Sequence, residues 1–155
     1  MSNFAIDVQD YLSDLPAEWV PILEETCQLV LIRAQAPVGS GVSIVLSDNA
    51  QLQVLNRDFL GIDAPTDVLS FPNSSVYPPS GPAPYLGDII ISVEKAEAQA
   101  LAAGHTLTAE LQLLVVHGTL HLLGHDHAEP IEKARMWAAQ ADALTALAVS
   151  VHIPE

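Results

Sequence analysis

Phe4, Ile6 and Val8 alternate with Ala5, Asp7 and Gln9 near the start of the chain. A period of two predicts a half-buried strand. From Pro16 to about Gln35, Trp19, Ile22, Leu23, Leu29, Val30 and Ile32 recur at helical spacing. Val42 to Leu46 predicts a second strand. Asp48, with Gln51 three residues on, has the pattern of a helix N-cap, and its helix is predicted to run to about Leu60. Val68 to Phe71 is a short apolar run and predicts a third strand. Pro72, Pro78, Pro79, Pro82 and Pro84 then exclude helix and central strand, so residues 72–84 read as a long loop. Leu86 to Ile91 is the fourth predicted strand, and the run Ile89-Ile90-Ile91 predicts burial on both faces. Ser92 can cap an alanine-rich helix ending at Gly104. Thr106 or Thr108 caps the next one, with Glu110 in its first turn. That helix is apolar nearly all round and stops at Gly124, so it is predicted to lie at the centre. A last helix is expected from about Glu129 to Val149.

Strands and helices alternate early and helices dominate late. This predicts an α+β fold: one small mixed sheet of about four strands with helices on both faces. At 155 residues, the length fits a single domain spanning 1–155. Hydrophobic residues make up 50% and charged residues 15%, which excludes a mostly disordered chain. The one cysteine, Cys27, rules out a disulfide within the chain and a disulfide-built secreted scaffold. Net charge is −14, so no basic face can hold nucleic acid, and any such role must rest on a local site. No apolar run is long enough for a membrane span, and the N-terminus lacks the basic start of a leader peptide. A cytoplasmic protein with no membrane partner is the expectation.

The chemistry lies in His117-Gly118-Thr119-Leu120-His121-Leu122-Leu123-Gly124-His125-Asp126-His127. His117 and His121 are four apart and share a helix face. Gly124 can take a positive φ, letting the chain turn back and bring His127 to the same point. Three imidazoles leave a fourth coordination position for water, the form of a catalytic zinc site rather than a closed structural one. One Zn2+ per chain is expected on His117, His121 and His127, although three imidazoles also suit nickel, copper or iron. The spacing H-x-x-x-H-x-x-G-x-x-H is also that of metzincin peptidases. Those carry a glutamate base directly after the first histidine, where this chain has Gly118.

The other polar candidates have ordinary explanations. His125 reads as an exposed residue, and His105 and His152 have no partners in sequence. Asp126 is either a turn residue or an orienter of a ligand ring. Asp88 reads as a strand-edge hydrogen-bonding group. Thr66 and Asp67 are expected to fix the loop entering the third strand. Cys27, Trp19 and Trp137 are read as packing residues.

The segment His117 to His127 resembles the signature of the YbeY family of rRNA maturation factors, H-G-x-L-H-L-x-G-[YH]-D-H. The likeness extends to Leu55-Asn56, Asp63 and Pro65-Thr66-Asp67-Val68-Leu69-Ser70-Phe71-Pro72 upstream. It continues through Leu86-Gly87-Asp88-Ile89-Ile90-Ile91-Ser92 to Met136 and Gln140 in the final helix. The resemblance implies metal-dependent cleavage of single-stranded RNA, with zinc on the histidines that fall at 117, 121 and 127. It further implies a setting in 16S rRNA 3′-end maturation and ribosome quality control, with ribosomal or small-subunit proteins as partners.

One position departs from the pattern. The family usually carries an arginine five residues before the proline of its P-T-[DN]-V-L-S-F-P block, where this chain has Leu60. A phosphodiester transition state gathers negative charge that an arginine fork would hold. Arg57, one helical turn back, is a candidate catalytic substitute. The competing assignment is an exposed helix charge paired with Asp58 or Asp63. Two rival functions remain: a metal-containing assembly factor without catalysis, and another metal-dependent hydrolase such as an atypical peptidase.

Overall fold

A computed structural model describes residues 3–151. Four strands, β1 (Ala5–Asp10), β2 (Gly41–Ser47), β3 (Val68–Pro72) and β4 (Tyr85–Ser92), form one sheet in the order β1-β2-β4-β3. The β1/β2 and β2/β4 pairs are parallel, and β3 runs antiparallel along β4. Five helices complete the chain: α1 (Trp19–Arg33), α2 (Asn49–Leu60), α3 (Val93–Ala103), α4 (Leu107–Leu122) and α5 (Pro130–Ala146). This is the small α+β domain that the pattern predicts, with the mixed sheet expected.

Alternation along β4 assigns the two faces. Ile89 and Ile91 are fully buried in the main core with Leu23, Leu31, Val115 and Val116 from α1 and α4. Ile90 points the other way, into a smaller cluster with Leu52 of α2 and Leu69 of β3. The helices therefore cover both faces, and α4 is buried among α1, α3, α5 and the β3–β4 edge. Each large aliphatic side chain buried along α4 stabilises the fold by about 1.5–3 kcal/mol. The helix that carries two of the histidines is thus the best anchored in the molecule.

Helix ends differ from expectation where the backbone intervenes. α1 begins at Trp19 rather than Pro16, because residues 16–19 form a tight turn closed by Trp19 N–H donating to the Pro16 carbonyl (3.1 Å). It stops before Gln35, which has φ 54°. α5 ends at Ala146 rather than Val149: Ala148 takes φ 56°, and the Val149 amide donates back to the Leu144 carbonyl at 2.9 Å. The cap of α4 is Thr106, whose side chain accepts from the Ala109 amide. Asp48 accepts from the Gln51 amide as the α2 cap.

Candidate metal centre

The C-terminus of α4 is built so that three imidazoles meet. Gly124 takes φ 91°, the His125 amide donates to the Leu120 carbonyl (3.0 Å), and the Gly124 amide donates to the His121 carbonyl (3.1 Å). This is a Schellman reversal, and it carries residues 125–127 back along the helix they have just left. His127 then stands with its ring centroid 5.2 Å from that of His121 and 5.7 Å from that of His117. One nitrogen from each ring lies within 4.8 Å of the others, a grouping that could hold a metal ion.

Hydrogen bonds fix which nitrogen each helix histidine offers. His121 Nδ1 donates to the His125 carbonyl at 3.0 Å, and His117 Nδ1 donates to Gln140 Oε1 at 3.1 Å. Both Nε2 atoms are then bare acceptors, yet they face each other at 3.1 Å. Two acceptors in that position repel unless a proton or a metal ion lies between them. Nitrogens bound at about 2.0–2.1 Å to one tetrahedral ion stand about 3.3 Å apart, so the donor set fits a metal. Burial holds the His117 imidazole below its ordinary pKa, with Gln140 acting in the opposite sense. Burial, reinforced by the neighbouring His117 and His127 rings, pushes His121 down to about 4. Both rings are therefore neutral at pH 7, the form that ligates.

Gly118 answers the peptidase comparison sterically. A Cβ there would lie 2.8 Å from Ile89 Cγ2 and 3.1 Å from Ser70 Oγ. Ser70 Oγ donates to the Gly118 carbonyl at 3.1 Å, so α4 rests directly on β3 and β4 at this point. A carboxylate at position 118 would force Ile89, Ser70 or the helix itself to shift.

The histidines line one side of a cleft of ≈ 860 Å³, with Thr66, Ser70, Ser74 and Tyr77 among its other walls. The proline-rich loop, residues 73–84 outside β3, thus forms part of the cleft, and Tyr77 packs on Gly124. Leu60 lines this cleft and Arg57 does not. Arg57 is about half exposed, and its Nε is paired with Asp58 Oδ1 at 3.1 Å. The structure brings together the three histidines and leaves Arg57 apart from them.

Other residues fall as follows. Asp126 accepts from the His127 amide at 2.7 Å, a turn bond. Asp88 accepts from the Tyr85 hydroxyl on the sheet. Asp67 accepts from the Val68 amide at 2.8 Å, as expected for a residue fixing the entry to β3, and it also borders the cleft. Cys27 and Trp19 are core residues. His105 is not an unpartnered residue: its Nε2 meets Glu110 Oε1 at 2.5 Å in a buried pair. His152 lies outside the described residues.

Sequence reasoning missed the groups that hold the rings. Gln140 is 2% exposed, and a buried glutamine on the apolar face of α5 was the available signal. The His125 carbonyl is backbone and leaves no trace in residue type. Trp137 has its ring 6.0 Å from His117 and 5.8 Å from His127, and Lys133 Nζ stands 5.7 Å from the Trp137 ring. A cation is thus placed one side chain away from the histidines.

Two half-buried imidazoles and one exposed one, gathered in an open cleft beside a mixed sheet, form a centre that could hold a metal ion. The sequence model of the family described as Endoribonuclease YbeY matches residues 6–148, and the chain belongs to that family. An Endoribonuclease YbeY of Geobacillus thermodenitrificans is 42% identical over 147 residues, covering 90% of this chain and 94% of the relative. That of Chloroflexus aggregans is 47% identical over 131 residues, covering 81% and 86%. A solution structure of a Thermotoga maritima protein superposes with a TM-score of 0.64 at 26% identity, covering 92% of this chain and 88% of that one.

Proposed function

We propose that this protein is a zinc-dependent endoribonuclease that cuts single-stranded RNA, acting in 16S rRNA 3′-end maturation and ribosome quality control. The observation that carries this reading is the pair of bare Nε2 atoms facing each other beside the exposed His127 ring, inside a cleft open to a strand. His117, His121 and His127 would hold the ion. A zinc ion supplies Lewis acidity there, polarising a phosphoryl oxygen and making water a better nucleophile near pH 7.

The rest of the work falls to the chain. Gln140 and the His125 carbonyl keep the two helix imidazoles in the ligating tautomer and orientation. Ser74, whose oxygen accepts from the Val76 amide and whose O–H is therefore free, supplies a hydroxyl along the cleft that can orient phosphate oxygens without adding charge. Lys133, over the Trp137 ring, offers a positive charge in a chain that otherwise repels polyanions. The acidic remainder suits work within a ribonucleoprotein, where small-subunit proteins supply further cations. Family membership and 42–47% identity to proteins named as endoribonucleases favour RNA over peptide. The crowding at Gly118 disfavours the peptidase reading.

The test is cleavage of labelled single-stranded and duplex RNA by metal-analysed protein, with and without chelator. The expected result is chelator-sensitive cutting of the single strand, restored by zinc. Bound metal with no hydrolysis of RNA would support the assembly-factor alternative. Chelator-sensitive cutting of an unstructured polypeptide would support the peptidase.

A further inference from the structure

A second pocket, of ≈ 470 Å³, opens between α3, α4 and α5. It shares Asp67, Val68 and His117 with the histidine cleft, so the two cavities adjoin. Its walls are mainly apolar: Ala102 and Ala103 on one side, Leu113 and Leu114 beneath, and the Trp137 indole at the side nearest the histidines. A mostly apolar cavity of this size with a few convergent polar groups is the usual form of a small-ligand site.

The polar groups are specific. Gln99 Nε2 donates to Asp67 Oδ2 (3.2 Å) and to Glu110 Oε2 (2.9 Å), which fixes its amide and turns its nitrogen to the carboxylates. Glu110 Oε1 meets His105 Nε2 (2.5 Å) and Asp67 Oδ1 takes the Val68 amide (2.8 Å), so what this edge still offers is the second lone pair of oxygens that each already hold one partner. Gln140 is 2% exposed and lines the same pocket. Its oxygen is taken by His117 Nδ1, and its amide nitrogen donates to no described residue. The pocket thus offers carboxylate lone pairs, the unspent Gln140 amide donor and an aromatic wall.

We propose that this pocket binds a guanine base of the RNA and thereby sets where the strand is cut. Guanine carries two adjacent donors, N1–H and the N2 amine, beside one acceptor, O6. Its donors match the Asp67–Gln99–Glu110 edge, its O6 matches the Gln140 amide, and its face can stack on Trp137. Uracil would set carbonyl oxygens against the carboxylates, and cytosine and adenine each bring only one donor group to that edge. The assignment rests on the RNA-cleaving function proposed above, since it places the base beside the histidines that would act on a neighbouring phosphate.

Free nucleosides test the pocket apart from catalysis, because they carry no phosphate to engage a metal or to be cut. Guanosine, adenosine, cytidine and uridine are titrated into the metal-loaded protein, and binding is followed by Trp137 fluorescence and by NMR of the Gln99 and Gln140 side-chain amides. Guanosine is expected to bind about tenfold tighter than uridine, the scale of one paired base edge. Glu110→Gln should remove most of that preference. Ala102→Phe, at an exposed wall position, should block binding of every nucleoside by filling the pocket, and it serves if Glu110→Gln does not fold. Equal affinity for all four nucleosides, or guanosine binding that persists in Ala102→Phe, overturns the assignment. RNA cleavage without nucleoside binding refutes the pocket alone. Guanosine binding by a protein that cuts no RNA leaves a guanine site standing and refutes the endoribonuclease reading.

Discussion

The two ends of the histidine cleft are built on opposite plans. At the α4 end, both helix imidazoles are held by hydrogen bonds, the chain reversal is closed by backbone bonds, and the supporting helix is buried on nearly every side. At the α2 end, the cleft is bordered by Leu60, 59% exposed, while Arg57 leans on Asp58 outside it. One end is organised before any ligand arrives. The other offers no charge to the phosphates it would meet. Chemistry at a metal needs rings fixed to within fractions of an ångström, whereas holding a flexible polyanion tolerates loose contacts and outside help.

The sharpest way to break this contrast is at the α4 end. His127→Ala should reduce bound divalent metal per chain to a small fraction and lower RNA cleavage by ~100-fold or more, read by elemental analysis and cleavage rate. Full occupancy in that variant would make His125 the third ligand.

Gln140→Leu comes next. It removes the acceptor that fixes His117 while keeping the side chain's bulk, so zinc affinity should fall by about 10–100-fold with the fold retained. Competition with a metal indicator measures it, and circular dichroism checks the fold.

Acid provides a graded version of the same test. His117 and His121 are held below the ordinary value of 6.5 by burial, His121 down to about 4. The unfolded chain therefore takes up protons that the folded chain refuses. The metal-free protein should keep its full stability above pH 6.5 and lose it progressively as pH falls from 6.5 toward 4. Urea midpoints across that range test the slope, and His121→Gln should flatten it.

The smallest effects are expected at the α2 end and sharpen the contrast there. Arg57→Ala should change cleavage by less than about threefold, since exposed ion pairs of this kind contribute little. Lys133→Ala should cost more, about five- to tenfold in affinity for single-stranded RNA, because its ammonium lies over Trp137, whose ring borders His117 and His127. Leu60→Arg should raise affinity by a few-fold, with the gain shrinking as salt increases. A large loss in Arg57→Ala would show that the arginine swings into the cleft when RNA binds.

What was legible in the sequence follows the range of each interaction. His117, His121, Gly124 and His127 lie within 11 residues, and helical spacing plus a glycine-closed reversal brings the three rings together. The run Ile89-Ile90-Ile91 announced a strand covered on both faces, because side-chain alternation is a local property too. Gln140 lies 23 residues from the histidine it orients, and only packing of α5 on α4 brings the two together. The partner of His121 is a carbonyl, which every residue possesses. The apolar walls of the pocket between α3 and α5 include Ala102, Ala103, Leu113 and Leu114, whose periodicity reports burial but not the hollow between them. Arg57 was singled out by its helical neighbourhood with Leu60, and the competing assignment, a charge paired with Asp58, is the contact that forms, because an adjacent residue needs no folding to reach the guanidinium.

Gly118 has a further consequence, for the rate at which a metal comes and goes. Because its carbonyl takes the Ser70 hydroxyl and its α-carbon sits against Ile89, the stretch of α4 bearing His117 and His121 is bolted to the sheet. The backbone carrying those two rings cannot leave the sheet without opening the core. His127 is the exposed member of the trio, carried on a turn beyond Gly124. An ion in this centre would therefore be released stepwise, with the 124–127 turn peeling away first and two ligands still attached. The residence time of the metal is then governed by the local opening of four residues, and a chelator should strip it at a rate that tracks hydrogen exchange of the His125 amide rather than global unfolding.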